Sequence, residues 1–285
     1  MGMAELPPLP AGIDTLPNAE AEWINKRYPN APRTPKDCVT CQGKEKFLWW
    51  QGSEVATYRC PCPDQWIMHR YFLHSGIGLA YQRMNWGMVE VEQGAVDLVK
   101  QWREYAERYV PAGVGLILHG SIGSGKTMLS ALLLKELLAD GWDGYFVTFS
   151  GLLDEFASGW RDEEQKRWFR DRITNADVLV VDDVGRELKQ RSFVKGEGAI
   201  DRSRPMAVST MDEVLRYRVA HCRPTIITTN MTTEDLTSDY GSNIMSLLNE
   251  KSATYEFVGS DYRRTAYSNQ DKEIQLGLTR PVVVS

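Results

Sequence analysis

No run of this 285-residue sequence is apolar for long enough to cross a bilayer, so no membrane partner is expected. The longest apolar runs, around Leu116 and Leu132, are those of a buried core. Positive charge is not in excess either: 33 Lys and Arg stand against 38 Asp and Glu, for a net charge of −5. Any contact with nucleic acid must therefore come from local patches and not from the field of the whole chain. The opening stretch MGMAELPPLPAGIDTLPNAEAEW lacks the basic start and apolar core of a secretory signal, which points to the cytoplasm. Cysteine is scarce and unevenly placed: of five, four fall between Cys38 and Cys62, and Cys222 stands apart. In a reducing compartment such a cluster suggests a metal, not disulfides. There is no internal repeat and no long low-complexity tract.

What is present divides into three parts. Residues 1–36 are rich in proline and poor in apolar periodicity, and read as a flexible leader with room for a short helix around Ala19 to Lys26. Residues 37–75 hold the cysteine cluster, and residues 76–285 alternate helical and strand patterns. QGAVDLVKQWREYAERYV has helical periodicity and is broken by PAG before the strand VGLILHG. A helix is expected from Lys126 to about Ala139, followed by strands at YFVTFS, DVLVVDD, PTIITTN and TYEFVG. Short, nearly all-apolar strands separated by helices imply an α/β fold with a parallel sheet covered on both faces.

The first of these strands runs into Gly120-Ser-Ile-Gly-Ser-Gly-Lys126-Thr127, which fits G-x4-G-K-[ST] throughout. Glycines let backbone N–H groups curl around phosphate oxygens, a lysine brings positive charge to the terminal phosphates, and the hydroxyl ligates Mg²⁺. The expected nucleotide contacts are Gly120, Ser121, Gly123, Ser124, Gly125, Lys126, Thr127 and Met128. Asp182 and Asp183 end the third strand, where Asp182 can complete the Mg²⁺ site with Thr127 and Asp183 can orient or deprotonate an attacking water. Asn230 ends the fourth strand, where an amide can hydrogen-bond that water or the terminal phosphate.

GSIGSGKT, VLVVDDVG and RPTIITTN together resemble the DnaC/IstB branch of AAA+ ATPases, as do SGIGLAYQRM before the first strand and GSDYRR after the last. The resemblance covers about Ser75 to Arg264. It implies strand order 5-1-4-3-2, nucleotide at subunit boundaries of a ring or spiral, and Arg263 as a second sensor beside Lys126, Asp182, Asp183 and Asn230. Only 21 residues follow Arg264, which implies little or no C-terminal lid. The branch carries an arginine finger on the helix after TTN. Here Met231 to Glu250 contains no Arg or Lys, and Leu247 stands at the finger position. Arg216, Arg218 and Lys251 are the candidate substitutes.

Cys38-x2-Cys41-x18-Cys60-x-Cys62 has the paired spacing of a small zinc ribbon, though Cys-Pro-Cys is one residue short of the usual turn. His69 or His74 is an alternative fourth ligand, and unpaired thiols in a minor subdomain are the alternative to a metal. Trp49-Trp50 lies between the pairs, one a candidate partner contact. A zinc module ahead of this core resembles the helicase-binding part of DnaI-type loaders. The resemblance thus implies an ATP-hydrolysing loader, of phage or bacterial type, that places a hexameric DnaB-type helicase on single-stranded DNA with ATP, Mg²⁺ and Zn²⁺. The alternatives are an IstB-type transposase helper and an ATP-binding switch with little turnover.

Two segments are candidates for single-stranded DNA. Gly159 to Arg172 interleaves Arg161, Lys166, Arg167, Arg170 and Arg172 with Trp160, Trp168 and Phe169, but a solvated amphipathic helix explains the pattern equally. Gly185 to Arg204 carries six basic residues against three acidic ones, and reads as either a mobile DNA-contacting loop or an insertion without that role.

Overall fold

Each of the five apolar runs forms a strand, and every neighbouring pair among them is parallel. The computed structural model describes residues 44, 46–51, 54–59, 75–82, 84–157, 163–185, 203–259 and 261–263. β1 (Lys46–Gln51) and β2 (Glu54–Arg59) make an antiparallel hairpin in which Lys46 faces Arg59 and Gln51 faces Glu54. The side chains of Trp49 and Trp50, all four clustered cysteines, His69, His74, and the expected helix at 19–26 lie outside the described residues.

The chain then runs through α1 (Leu79–Gln82), a 3-10 turn at Trp86–Met88, α2 (Gln93–Glu104) and α3 (Ala106–Tyr109). The helical pattern of 93–110 is split at Tyr105. Buried Trp102 donates its indole N–H to the Val114 carbonyl at 3.2 Å, and the Tyr109 ring folds back to 5.9 Å from it, tying this corner to the next strand. The core elements follow as β3 (Gly115–Gly120), α4 (Lys126–Ala139), β4 (Gly144–Thr148), α5 (Phe149–Ala157), α6 (Glu163–Asn175) and β5 (Val178–Val184). The last are α7 (Ser203–Ala220), β6 (Thr225–Thr229), α8 (Thr233–Tyr240), α9 (Ser242–Lys251) and β7 (Ser252–Phe257).

The sheet order is β4-β5-β6-β3-β7. Counted from β3 as the first core strand and read from the β7 edge, this is the expected 5-1-4-3-2. Strand alternation divides the core between the two faces. Leu116, Leu118, Val178, Val180 and Ile226 pack against α2 and α4, whereas Ile117, Leu179, Val181 and Ile227 pack against α5 to α9. Because α4 is enclosed, Leu129, Leu132, Leu133, Leu134, Leu137 and Leu138 are all buried; each such side chain contributes about 1.5–3 kcal/mol relative to exposure. Among the described residues no helix is long and apolar enough to cross a membrane.

One buried cation closes the end of the sheet opposite the phosphate loop. Arg218 of α7 has no exposed surface. Its guanidinium donates to the carbonyls of Ile173 (3.1 Å), Thr174 (3.3 Å), Ala176 (2.9 Å), Asp177 (3.3 Å) and Pro224 (2.8 Å), and to Thr225 Oγ1 (3.1 Å). Burial pushes its pKa down to about 9. Arg218 therefore joins the end of α6 to the start of β6 and cannot reach a neighbouring subunit, which removes it from the finger candidates. Arg216, on the exposed side of α7, pairs with Asp212 at 2.7 Å.

The aromatics of α6 are likewise structural. Phe169 is buried and meets Tyr145 and Phe156 edge-on, and half-buried Trp168 does the same with Tyr145. Arg172 pairs with Asp143 at 2.7 Å and donates to the Gly144 carbonyl at 2.8 Å. Of the two readings of this segment, a DNA-stacking surface and an amphipathic helix, the structure has the second at Phe169 and Trp168, which turn inward because the helix needs an apolar stripe against β4. Arg167 and Arg170 remain exposed. Trp160, Arg161 and residues 186–202 lie outside the described residues.

Candidate active site

The phosphate loop connects the C-terminal end of β3 to the first turn of α4, so unpaired amide groups of a fourteen-residue helix face the same space as the loop. Gly120, Gly123 and Gly125 all have positive φ, at 129°, 77° and 96°. At Gly125 the requirement is twofold, since a Cβ would also stand 2.5 Å from Val91 Cγ1. Lys126 is 6% exposed, and its Nζ donates to the carbonyls of Gly120 (3.0 Å) and Ser121 (2.7 Å) and to Ser124 Oγ (3.3 Å). The loop is thereby wrapped around its own ammonium group. Burial lowers that group's pKa to about 8, opposed by the nearby Asp183 and Asp182 carboxylates.

The two aspartates reach the site through a β-bulge. Val181 pairs with Ile227 and Val184 with Thr229, so Asp182 and Asp183 together stand opposite Thr228. Without the extra residue, successive side chains would point to opposite faces. The bulge puts Asp183 at φ 61°, a left-handed conformation that Asp tolerates better than most residues and that costs about 1–2 kcal/mol. Thr228 serves both acids: its hydroxyl donates to Asp182 Oδ1 at 2.5 Å and accepts from the Asp183 N–H at 3.0 Å. Asp182 is 5% exposed, and burial raises its pKa against the opposing hydrogen bonds from Thr228 and Thr127. Asn230 Nδ2 donates to Asp183 Oδ1 at 3.2 Å, so the amide expected to sense the phosphate holds the expected base.

The chain after β7 returns over the loop. Ser121 N–H and Oγ donate to the carbonyls of Phe257 (3.3 Å) and Gly259 (2.8 Å), and Tyr262 N–H donates to the Gly123 carbonyl at 3.1 Å. This brings Arg263 into the electrostatic environment of Lys126. All five expected catalytic positions, Lys126, Asp182, Asp183, Asn230 and Arg263, thus converge at one end of the sheet. The expected finger position, Leu247, is half-buried on α9. Thr228 lies inside RPTIITTN, but its role at the site has no signal of its own, because by type it is an ordinary β-branched strand residue.

Loop glycines, an enclosed lysine, the Thr127 hydroxyl and the buried Asp182 carboxylate form a donor set that fits a Mg-nucleotide. The same topology appears in solved structures. The chain is similar to the crystal structure of the DnaC helicase loader, with a TM-score of 0.51 and 24% identity over 64% of this chain and 100% of that one. The core therefore has an α/β fold whose parallel five-stranded sheet has the strand order of an AAA+ P-loop core. No family model matches the chain. In sequence the chain is 25% identical over 235 residues to the replicative helicase loader DnaC of Escherichia coli K12, covering 80% of this chain and 89% of DnaC. It is 24% identical over 195 residues to the replicative helicase loader DnaI of Bacillus subtilis, covering 64% of this chain and 57% of DnaI.

Proposed function

We propose that this protein is an ATP-hydrolysing loader that places a hexameric DnaB-type replicative helicase on single-stranded DNA. The observation that carries the proposal is the convergence of the phosphate loop, Asp182, Asp183 and Asn230 at one end of the sheet, in a chain whose similarity to DnaC extends over 80% of its length. Mg-ATP would be held by the amides of residues 121–128, Lys126, Thr127 and Asp182, and it supplies the phosphoanhydride whose cleavage drives the cycle. Asp183 orients the attacking water and accepts its proton, while Asn230 fixes the Asp183 carboxylate. Arg263 adds positive charge beside Lys126.

The division into a leader (1–36), a partner-recognition module (37–75) and an AAA+ domain (76–285) belongs to the same proposal. Cys38, Cys41, Cys60 and Cys62 flank the β1–β2 hairpin in sequence, two on each side, as the thiolates of a tetrahedral Zn²⁺ site would. This module grips the helicase, and copies of the AAA+ domain associate into a ring or spiral. A pull-down with a hexameric DnaB-type helicase tests the reading: the full chain captures it and a version lacking residues 1–75 does not. Capture that ignores the deletion, or no capture at all, overturns the assignment.

One observation favours a second reading, a nucleotide-dependent switch with little turnover. Residues 231–250 hold no Arg or Lys, and Arg218 is locked inside the sheet end. An ATPase assay separates the two. If the site hydrolyses ATP, Asp183→Asn lowers turnover by about 100-fold or more while nucleotide binding persists. Asn is the informative replacement because it also tolerates the left-handed backbone at this position. A wild-type chain with no turnover, alone or with helicase and DNA, establishes the switch.

A further inference from the structure

The chain that leaves β7 stays fastened to the phosphate loop. Gly120 and Phe257 are the last partners of the parallel β3–β7 pair. Beyond them, Ser121 donates to the carbonyls of Phe257 and Gly259. The donation then reverses, with the Tyr262 N–H given to the Gly123 carbonyl. On the side of residues 257–262, each of these bonds uses a backbone atom. They set the path of the chain and leave open what its side chains do.

Asp261 is the side chain that this segment and the loop share. Its Oδ1 accepts from the Arg263 N–H at 3.0 Å. A carboxylate oxygen bonded to the N–H two residues on mimics a backbone turn and fixes the direction in which the next residues leave. The same carboxylate is seated on Gly123. A Cβ there would stand 1.9 Å from Oδ1, 2.4 Å from Cγ and 3.0 Å from Oδ2 of Asp261. Gly123 falls at one of the unspecified positions of G-x4-G-K-[ST], so the phosphate motif as such does not demand a glycine here. The 261–263 turn is thus held to one loop residue twice, by the Tyr262 N–H and by the Asp261 carboxylate. A turn-forming aspartate needs only its own backbone; the seat on Gly123 is additional. Asp261 and Arg263 are both exposed, so apolar packing does not set where either one points.

We propose that Asp261 is a positioning residue for Arg263: resting on Gly123 and accepting the Arg263 N–H, its carboxylate fixes the root of the Arg263 side chain against the phosphate loop, so that the guanidinium is directed to the terminal phosphate of a bound nucleotide. This rests on the nucleotide reading of the site. By charge alone a carboxylate beside a phosphate loop opposes an anion. Asp261→Asn removes that charge and keeps the acceptor, which separates the two effects.

The test is binding of a fluorescent, non-hydrolysable ATP analogue and of fluorescent ADP to the full-length protein and its variants. Asp261→Ala is expected to bind the ATP analogue about fivefold more weakly, the effect of one hydrogen bond, and ADP unchanged. Asp261→Asn is expected to bind the ATP analogue at least as well as the wild type. Arg263→Ala is expected to lose as much as Asp261→Ala or more, and adding Asp261→Ala to it to cost nothing further, because both changes remove the same interaction. Unchanged binding of the ATP analogue by Asp261→Ala or by Arg263→Ala overturns the proposal. So do equal losses for ATP analogue and ADP, which would mean a general loosening of the loop. An Asp261→Asn protein as weak as Asp261→Ala, or a double variant in which the two losses add, overturns it as well. A wild-type chain that binds neither nucleotide removes the underlying reading and the proposal with it.

Discussion

At the scale of single residues, environment separates side chains that the sequence presents as equivalent. Arg216 and Arg218 are two positions apart on α7, and both qualify by type as a cation reaching a neighbour's nucleotide. One is exposed and paired with Asp212; the other is surrounded by backbone carbonyls. Arg218→Met is expected to lower unfolding stability by about 3–5 kcal/mol in urea denaturation, because several buried acceptors lose their donor at once. An interface residue would behave oppositely, with activity lost and stability retained. Asp182 and Asp183 show the same principle. Their spacing in a regular strand would send one to each face, and only the bulge opposite Thr228 brings both to the site.

At the scale of elements, α1 and α4 act as one unit through the buried ammonium group of Lys135, which donates to the carbonyls of Tyr81 and Met84. Lys135 has no exposed surface, and burial lowers its pKa from 10.5 to about 8. Between those values the folded chain binds fewer protons than the unfolded chain, so stability must rise with pH across that window. The cost of charging Lys135 is fully present below pH 8 and is relieved as the pH rises toward 10.5. Comparing wild type with Lys135→Met cancels the other titrating groups. The stability difference is expected to move toward the wild type by roughly 2 kcal/mol between pH 7 and pH 10, measured by chemical denaturation at each pH. A difference that does not change with pH would show that the lysine titrates normally. For α6 the element decides against the aromatics as a DNA platform and leaves Arg167 and Arg170 exposed. If these two arginines contact single-stranded DNA, Arg167→Ala with Arg170→Ala reduces the slope of log affinity against log salt by about 1.4, measured by fluorescence anisotropy.

At the scale of the whole molecule, the α/β core follows in sequence a segment with four clustered cysteines, proposed above to hold Zn²⁺. Elemental analysis of the purified chain is expected to give about one zinc per protein, and Cys60→Ser to lose it. Because α4 and the sheet bury their own apolar surface without residues 1–74, chelation should leave the main unfolding transition in place while helicase capture is lost. Loss of that transition on chelation would show that the two parts fold together.

The strands, the phosphate loop and the helix behind it were legible in the sequence, because each follows from a local signal, whereas the strand order followed only from the resemblance. Apolar runs of strand length need a covered parallel sheet, and glycines before Lys126-Thr127 need positive φ and a helix start. The acids at the end of β5 were legible as a pair, since their order after the loop is itself a pattern. Other features depended on contacts across large sequence distances, which leave no periodicity behind. Thr228 bonds to Asp182 from 46 residues away, Lys135 holds a carbonyl 54 residues upstream, and Arg218 fills its bonds at the ends of two strands. A threonine in a strand, a lysine on a helix and an arginine on a helix read as surface or filler until the fold shows what surrounds them. The sequence by itself determined which chemistry this chain can host, because that chemistry resides in residue types at fixed short spacing. Only the tertiary structure decided which polar side chains serve it and which hold the scaffold, because a buried polar group is defined by the partners packing brings to it.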